Sequence, residues 1–310
     1  MPKIHIEESI LINQKAEKIY KFLSDYHNWQ QWSPWLLAEP DCHVKVSEKG
    51  DLYSWDGSIV GSGEMTITET SKHFDFLTMD LQFLKPWKSF AKVAFYLEKK
   101  DDKTLLKWTM ESSLPIFLFW MKKSMMAFIS EDYRRGLRML KDLIETGKTN
   151  SEITFQGLKK QKAKLYVGVK REVATQEIDT YMSKDFEKLM TLYHNQWKSY
   201  QAGPAFTLYH KWDMVGKKVK YTSAVPLTAI PEDLPADFIQ GKLPEMAVYS
   251  VLHQGPYRHV GNAWSAGMMH MRNKKFKPIK KQAPFEVYWN SPKDTPELEL
   301  KSEILFPAKD

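Results

Sequence analysis

Pro284-Phe285-Glu286-Val287-Tyr288-Trp289-Asn290-Ser291-Pro292 decides how this chain is read. Aromatic and β-branched residues bounded by proline and an Asn-Ser-Pro turn signal make a strand. Side chains alternate across a strand, so Phe285, Val287 and Trp289 share one face while Glu286 and Tyr288 share the other. Glu286 is out of place chemically. A carboxylate among aromatics either faces water or awaits a partner, because an unpaired buried charge is costly.

Working outward, the same order of elements occurs twice. Strands at Lys164–Val173, Ala205–Trp212 and Lys217–Leu227 with a helix at Thr180–Ser199 form one unit, about 159–228. Strands at Met246–Gln254, Pro284–Trp289 and Glu299–Phe306 with a helix at Val260–Met271 form the other, about 243–307. A connector rich in proline and acids, 229–245, lies between them. This predicts a tandem βαββ repeat forming one sheet with helices on one face and an open groove on the other. Parity groups Phe206, Leu208 and Trp212 against Thr207, Tyr209 and Lys211. With the plain hydrophobes placed under the helices, Tyr166, Tyr209, Tyr249, Glu286 and Tyr288 fall on the groove face. A carboxylate ringed by tyrosines is a receptor for an aromatic cation, the rings offering their faces and the acid its charge.

The first half reads differently. A strand over residues 3–12 and a helix over Gln14–Tyr26 lead into Trp29-Gln-Gln-Trp-Ser-Pro-Trp35, expected to pack the mouth of a sheet. Short strands separated by charged or glycine-containing turns follow from Val44 to Ser112, the pattern of an antiparallel meander. A long helix over Ile116–Ile144, broken in its first part, carries a stripe of Ile129, Tyr133, Leu137, Leu140 and Ile144. A curved sheet gripping that helix leaves a cavity between them. Gly147 after the helical stripe, in a stretch without apolar anchors, marks a boundary. The expected organisation is an α+β chain with one domain at 1–148, a linker at 149–158 and a second domain at 159–310.

Bulk properties narrow the function. At 310 residues two domains are expected. Aromatics make up 13% of the chain with 11 Trp, which favours small-molecule pockets. The single cysteine, Cys42, excludes an intramolecular disulfide, and no secretory h-region is visible, so a cytoplasmic location is expected. The most apolar run, Leu114–Ile129, is interrupted by Lys122 and Lys123 and is too short to span a bilayer, so no membrane role is expected. The net charge of +7 resides in the second half, which is otherwise dispersed apart from Arg272–Lys281, read as a solvated loop. His253 and His259 lack acidic or Cys company, and no Ser-His-Asp, Cys-His, phosphate-loop or zinc signature occurs; no metal or cofactor is expected.

Two resemblances extend this reading. Trp32-Ser-Pro-Trp35, Gly61-Ser-Gly63-Glu64 and Glu131-Asp-Tyr-Arg-Arg-Gly-Leu137 resemble the SRPBCC superfamily (START and polyketide-cyclase-like, helix-grip proteins) over about 1–147. That resemblance implies a fold and no particular reaction. His253-Gln-Gly-Pro-Tyr257, Trp264, Phe285–Pro292 and Ser302-Glu-Ile-Leu-Phe-Pro307 resemble the GyrI-like family, the effector-binding domain of bacterial multidrug-sensing transcription activators, over about 160–308. It implies a small-molecule-binding domain anchored by Glu286, with Glu303 a second recurrent acid. The candidate ligand-binding residues are therefore Glu286, Tyr288, Tyr249, Tyr209, Tyr166, Trp264 and Glu303. Trp264, one turn from Met268, suits a core as well as a site. No helix-turn-helix is seen in 1–158, so no direct nucleic-acid binding is expected. The leading expectation is a non-enzymatic binder of an amphipathic or cationic aromatic compound. The alternatives are a hydrolase of reactive cyclopropane-type compounds with Glu286 as general base, as the resemblance implies for some members, and a protein-partner role of the gyrase-inhibitor type.

Overall fold

A computed structural model describes residues 2–309. The chain is α+β, with two large antiparallel sheets and few helices, and divides into two compact units at Ser151/Glu152.

The first unit holds β1 (Lys3–Ile12), α1 (Ala16–Leu23), β2 (His43–Val46), β3 (Leu52–Asp56), β4 (Ser62–Thr70), β5 (Phe76–Lys85), β6 (Ser89–Lys100), β7 (Lys103–Ser113) and α2 (Lys122–Thr146). Its seven strands run β1-β7-β6-β5-β4-β3-β2. Short charged turns force neighbours in sequence to pair, and β1 closes the far edge against β7 along ten registered residues, Lys3↔Ser113 to Ile12↔Thr104. The break expected early in the long helix is a 3₁₀ segment, Ile116–Met121, after Pro115. α2 ends at Gly147, whose φ of 81° is a left-handed cap that a β-carbon disfavours. The aromatic cup is filled rather than hollow where α2 is deepest. Trp108 stacks on Tyr133 at 3.8 Å between ring centroids, and Trp29, Trp32 and Phe95 close around them. The Trp29/Trp32 pair is core, while Trp35 donates its indole N–H to Asp132 Oδ2 at 3.1 Å.

The second unit begins earlier than expected. Residues 152–158, read as linker, belong to β8 (Glu152–Gln161), whose weak alternation (Ile153, Phe155) sits among charged and polar residues. There follow β9 (Lys164–Ala174), α3 (Ile178–Asn195), β10 (Phe206–Asp213), β11 (Lys218–Leu227), β12 (Ile239–Leu243), β13 (Met246–Gln254), α4 (Gly261–Arg272), β14 (Phe285–Tyr288) and β15 (Lys301–Ala308). The connector expected over 229–245 thus contains a strand, β12. The order across the sheet is β12-β9-β11-β10-β14-β15-β13-β8. It is symmetric about the β10–β14 pair, with β8 and β12 each completing the edge opposite its own chain neighbour. Only Pro244 and Glu245 separate β12 from β13, and only Lys162 and Ala163 separate β8 from β9. These strands lie at opposite ends of the order, so the sheet must curl until its ends approach.

The curl corrects the assignment of faces. Phe206, Leu208, Ala224, Leu243, Val248, Phe285, Val287 and Leu305 form one buried cluster on the inner face. The helices lie on the outer face: α3 over Val167, Val169, Val225 and Leu227, and α4 over Val251, Ile304 and Phe306. Register puts Thr207 opposite Glu286, and Glu286 opposite Ile304. Glu286 therefore shares the helix-bearing face, the reverse of the expected arrangement. The plain hydrophobes of β10 and β14 fill the inside of the curl, which is the most water-excluded space available to them. Among the described residues no helix is long and apolar enough to cross a membrane.

Candidate functional site

α3 covers the β9/β11 side and α4 the β13/β15 side, so the central strands β10 and β14 run beneath the strip between the two helices. Glu286 sits on that strip and is 2% exposed. Trp264, one turn into α4, donates its indole N–H to Glu286 Oε2 at 2.9 Å. The Tyr209 hydroxyl donates to the same oxygen at a long 3.5 Å. Tyr288 donates to Thr207 Oγ1 at 3.1 Å and meets Met182 Sδ of α3 at 3.5 Å. Rings complete the enclosure: Tyr209 packs edge-on to Trp264 (5.0 Å), Tyr257 to Tyr288 (5.8 Å) and Phe186 to Tyr288 (5.4 Å). Tyr209, Tyr257, Trp264 and Tyr288 are each partly exposed while the carboxylate is not. The acid thus lies beneath a cover of aromatic rings between α3 and α4.

Its electrostatics follow from that position. Burial pushes the Glu286 carboxyl up to about 7, and the Trp264 hydrogen bond, then the neighbouring Tyr209 and Tyr288 hydroxyls, offset part of the rise. Among the described residues no Lys, Arg or His forms an ion pair with it. The Tyr209 and Tyr288 hydroxyls are pushed well above their ordinary range by burial and then by the Glu286 charge. Burial, with Glu286 second, raises Tyr257 to about 12. These phenols stay protonated as donors. Around Glu286 the described residues bring together an acid, ring faces and hydroxyls.

Four of the candidate residues, Glu286, Tyr288, Tyr209 and Trp264, come together here. The other three do not. Tyr249 is on the same face but two strands away, stacked on Phe276 at 4.3 Å and bonded through its hydroxyl to His270 Nδ1 at 2.7 Å beneath α4. Tyr166 pairs in register with Pro226, on the inner face, and packs edge-on to Phe206 at 5.5 Å. Glu303 pairs with Val287, which also puts it on the inner face. It is 2% exposed and bonded to Lys159, Ser250 and, at 3.0 Å, the Trp289 indole N–H. Shared parity within a strand fails across strands unless the pairing register is known, which explains why Tyr166 is parted from Glu286; Glu303 was carried over from the resemblance alone.

Several residues around Glu286 escaped the sequence reading. Met182 and Phe186 are an i, i+4 pair on α3, a spacing that reads equally well as core. Tyr257 ends the quoted His253–Tyr257 motif, where the Gly-Pro pair signalled only a turn. Trp212 was assigned to the face of Phe206, but a bulge between Tyr209 and Lys211 reverses it. It therefore lies on the Tyr209 side, 5.7 Å from that ring. The buried His253 and His259 are near neighbours; burial lowers His253 to about 4, with His259 contributing. Among the described residues no group of three His, Cys, Asp or Glu is placed to hold a metal ion.

Residues 158–309, the curled sheet with its buried acid and two outer helices, match the family described as the GyrI-like small molecule binding domain. Residues 3–145 match the family described as polyketide cyclase / dehydrase and lipid transport. This chain therefore joins a domain of that SRPBCC-like family to a GyrI-like domain. None of the curated proteins compared with the chain matches it. Among solved structures, the EcmrR–DNA complex in EcmrR-RPo is 16% identical, with a TM-score of 0.43 over 61% of this chain and 66% of that one. The EcmrR C-terminal domain is 19% identical, with a TM-score of 0.40 over 50% of this chain and 98% of that one. SAV2435 bound to tetraphenylphosphonium is 17% identical, with a TM-score of 0.39 over 50% of this chain and 94% of that one.

Proposed function

We propose that the C-terminal domain binds an amphipathic aromatic cation between α3 and α4, with Glu286 as the charged anchor. One observation carries this reading: a carboxylate 2% exposed, held by two hydrogen-bond donors, Trp264 and Tyr209, with no cation paired to it among the described residues, beneath partly exposed aromatic rings. A neutral ligand would leave that charge uncompensated, whereas a cation neutralises it and gains the ring faces. The proposal includes a domain built from two βαββ units that meet at β10–β14, and an N-terminal sheet that grips α2. No nucleic-acid contact is assigned to either domain. The test is a thermal-shift and calorimetric screen with permanently charged aromatic cations on the full chain. Binding that disappears in Glu286→Gln supports the reading, and no stabilising ligand across a broad panel refutes it.

A second reading rests on the same carboxyl. A glutamate raised to about 7 is poised to take a proton from water as that water's oxygen bonds to an electrophilic cyclopropane carbon; a ring C–C bond breaks and the released carbon takes up a proton. Turnover of such a compound, lost in Glu286→Gln, supports it. Unchanged substrate after long incubation with the folded chain refutes it.

A further inference from the structure

We propose that one end of the N-terminal sheet is a docking surface for an anionic lipid membrane. Two segments leave the sheet at the same end. β5 and β6 join through the turn after Phe83↔Ser89, and β7 runs out beside the start of β6, with Ala91 paired to Ser112. The Ser112 hydroxyl donates to Phe90 O at 2.6 Å, holding the two segments side by side. Between them they expose Leu84, Trp87, Ile116, Phe117, Phe119 and Trp120, and the last four are 65–73% exposed. A fully buried aromatic side chain removes about 150–250 Å² from water, and contiguous apolar patches beyond a few hundred Å² on a soluble protein mark interaction sites. These residues contribute little to their own domain's core, so folding does not account for their size.

Charge selects the occupant. The N-terminal half is balanced, with 21 Lys+Arg and 21 Asp+Glu over residues 1–150. Residues 84–92 and 114–127, however, contain Lys85, Lys88, Lys92, Lys122 and Lys123 and no acid. Lys85 is partly offset by Asp56 at 3.2 Å; neither Lys122 nor Lys123, beside Trp120, forms an ion pair among the described residues. Tryptophan and phenylalanine flanked by lysines match the layered chemistry of a bilayer surface, with rings at the acyl boundary and ammonium groups among anionic headgroups. The length of the apolar run argues against a span, but exposure rather than length governs surface docking. A second copy of this chain would set these lysines against their own like charges.

The experiment is co-sedimentation of the full chain with phosphatidylcholine vesicles, with and without about 30% phosphatidylserine. Binding should require phosphatidylserine and weaken at high salt. Each lysine near such a surface strengthens association about fivefold, so Lys122→Gln with Lys123→Gln should weaken it about 25-fold. Phe117→Ser with Trp120→Ser should weaken it at least about tenfold while leaving Tm unchanged, because these side chains are exposed. If that variant unfolds, the lysine pair and the salt series still decide. Lys274→Gln with Lys275→Gln, on the exposed basic run of the other domain, should leave vesicle binding intact. An equal loss there would reduce the effect to net charge and overturn the proposal. So would failure to sediment with phosphatidylserine vesicles at low salt, or a dimer in light scattering that is lost in Phe117→Ser/Trp120→Ser without any vesicle binding.

Discussion

A permanently charged aromatic cation should bind this chain about 50-fold more tightly at pH 7 than at pH 5, and then level off. In the free protein, burial holds the Glu286 proton up to about pH 7. A cation that needs the carboxylate must first expel that proton, so its apparent dissociation constant is multiplied by one plus the ratio of proton concentration to the acid constant. The factor is about 100 at pH 5, about 2 at pH 7 and close to 1 by pH 9. An exposed glutamate, titrating near 4.3, would give a factor of only about 1.2 at pH 5. Tetraphenylphosphonium is a suitable probe because it carries no titratable group. Calorimetry in buffers of differing ionisation enthalpy should show about one proton released per ligand at pH 5 and about half of one at pH 7. Glu286→Gln should abolish both the pH slope and the proton release. Affinity that is flat across this range in the native chain, or a slope that persists in the glutamine variant, would refute the reasoning.

The same titration governs stability. The folded chain holds the Glu286 proton to about 7 and the unfolded chain only to about 4.5, so folding takes up a proton between these values. The stability this group contributes is complete below about 4.5 and is lost as pH rises through about 7, in total about 3 kcal/mol. Glu286→Gln should therefore flatten the pH dependence and raise the unfolding midpoint in urea at pH 8. Trp264→Phe keeps a ring against Tyr209 but removes the 2.9 Å indole donor to the carboxylate. It should move the midpoint of the binding curve up by about one pH unit, a hydrogen bond to a charged group being about 1.5–3 kcal/mol. Glu303→Gln should leave both cation affinity and its pH slope unchanged, since Glu303 is on the inner face; an altered slope would contradict the assignment of faces. Gly267→Ala should lower Tm, because a β-carbon there would lie 2.2 Å from the Phe306 ring, itself wedged against Trp264 and Phe276. The overpacking, about 1–3 kcal/mol, outweighs the roughly 1 kcal/mol of helix propensity gained.

Alternation and turn chemistry made the strands of both halves legible, along with the break in the long helix and the capping glycine at 147. They also picked out Glu286, because one acid in an aromatic strand violates the local pattern. What they could not supply was which strand pairs with which. Tyr166 has the parity expected of its own strand, yet register places it on the inner face of the curl, where Glu303, a candidate only through the family resemblance, also lies. The bulge after Tyr209 reversed Trp212 in the same way. β8 and β12 were missed because they are edge strands in which lysines, glutamines or a glycine interrupt the apolar alternation, and because their partners lie far away in sequence. The cup in the first domain was read as hollow because side-chain identity conveys ring count but not how closely Trp108 and Tyr133 approach.

The exchanged edge strands dictate where this chain can be cut. A fragment starting at 159, after the stretch that reads as a linker, would discard most of β8 and leave β13 with a bare edge of unpaired amides. Division within 229–245, the stretch that reads as a connector, would be worse. β12 would travel with the second half while β9, the strand it pairs with among the described residues, stayed with the first. Neither half should fold as a soluble module, and mixing the two should restore the sheet by trading those edges back. The smallest expressible piece of the binding domain therefore begins no later than Glu152, and its two halves are best regarded as one interlocked part.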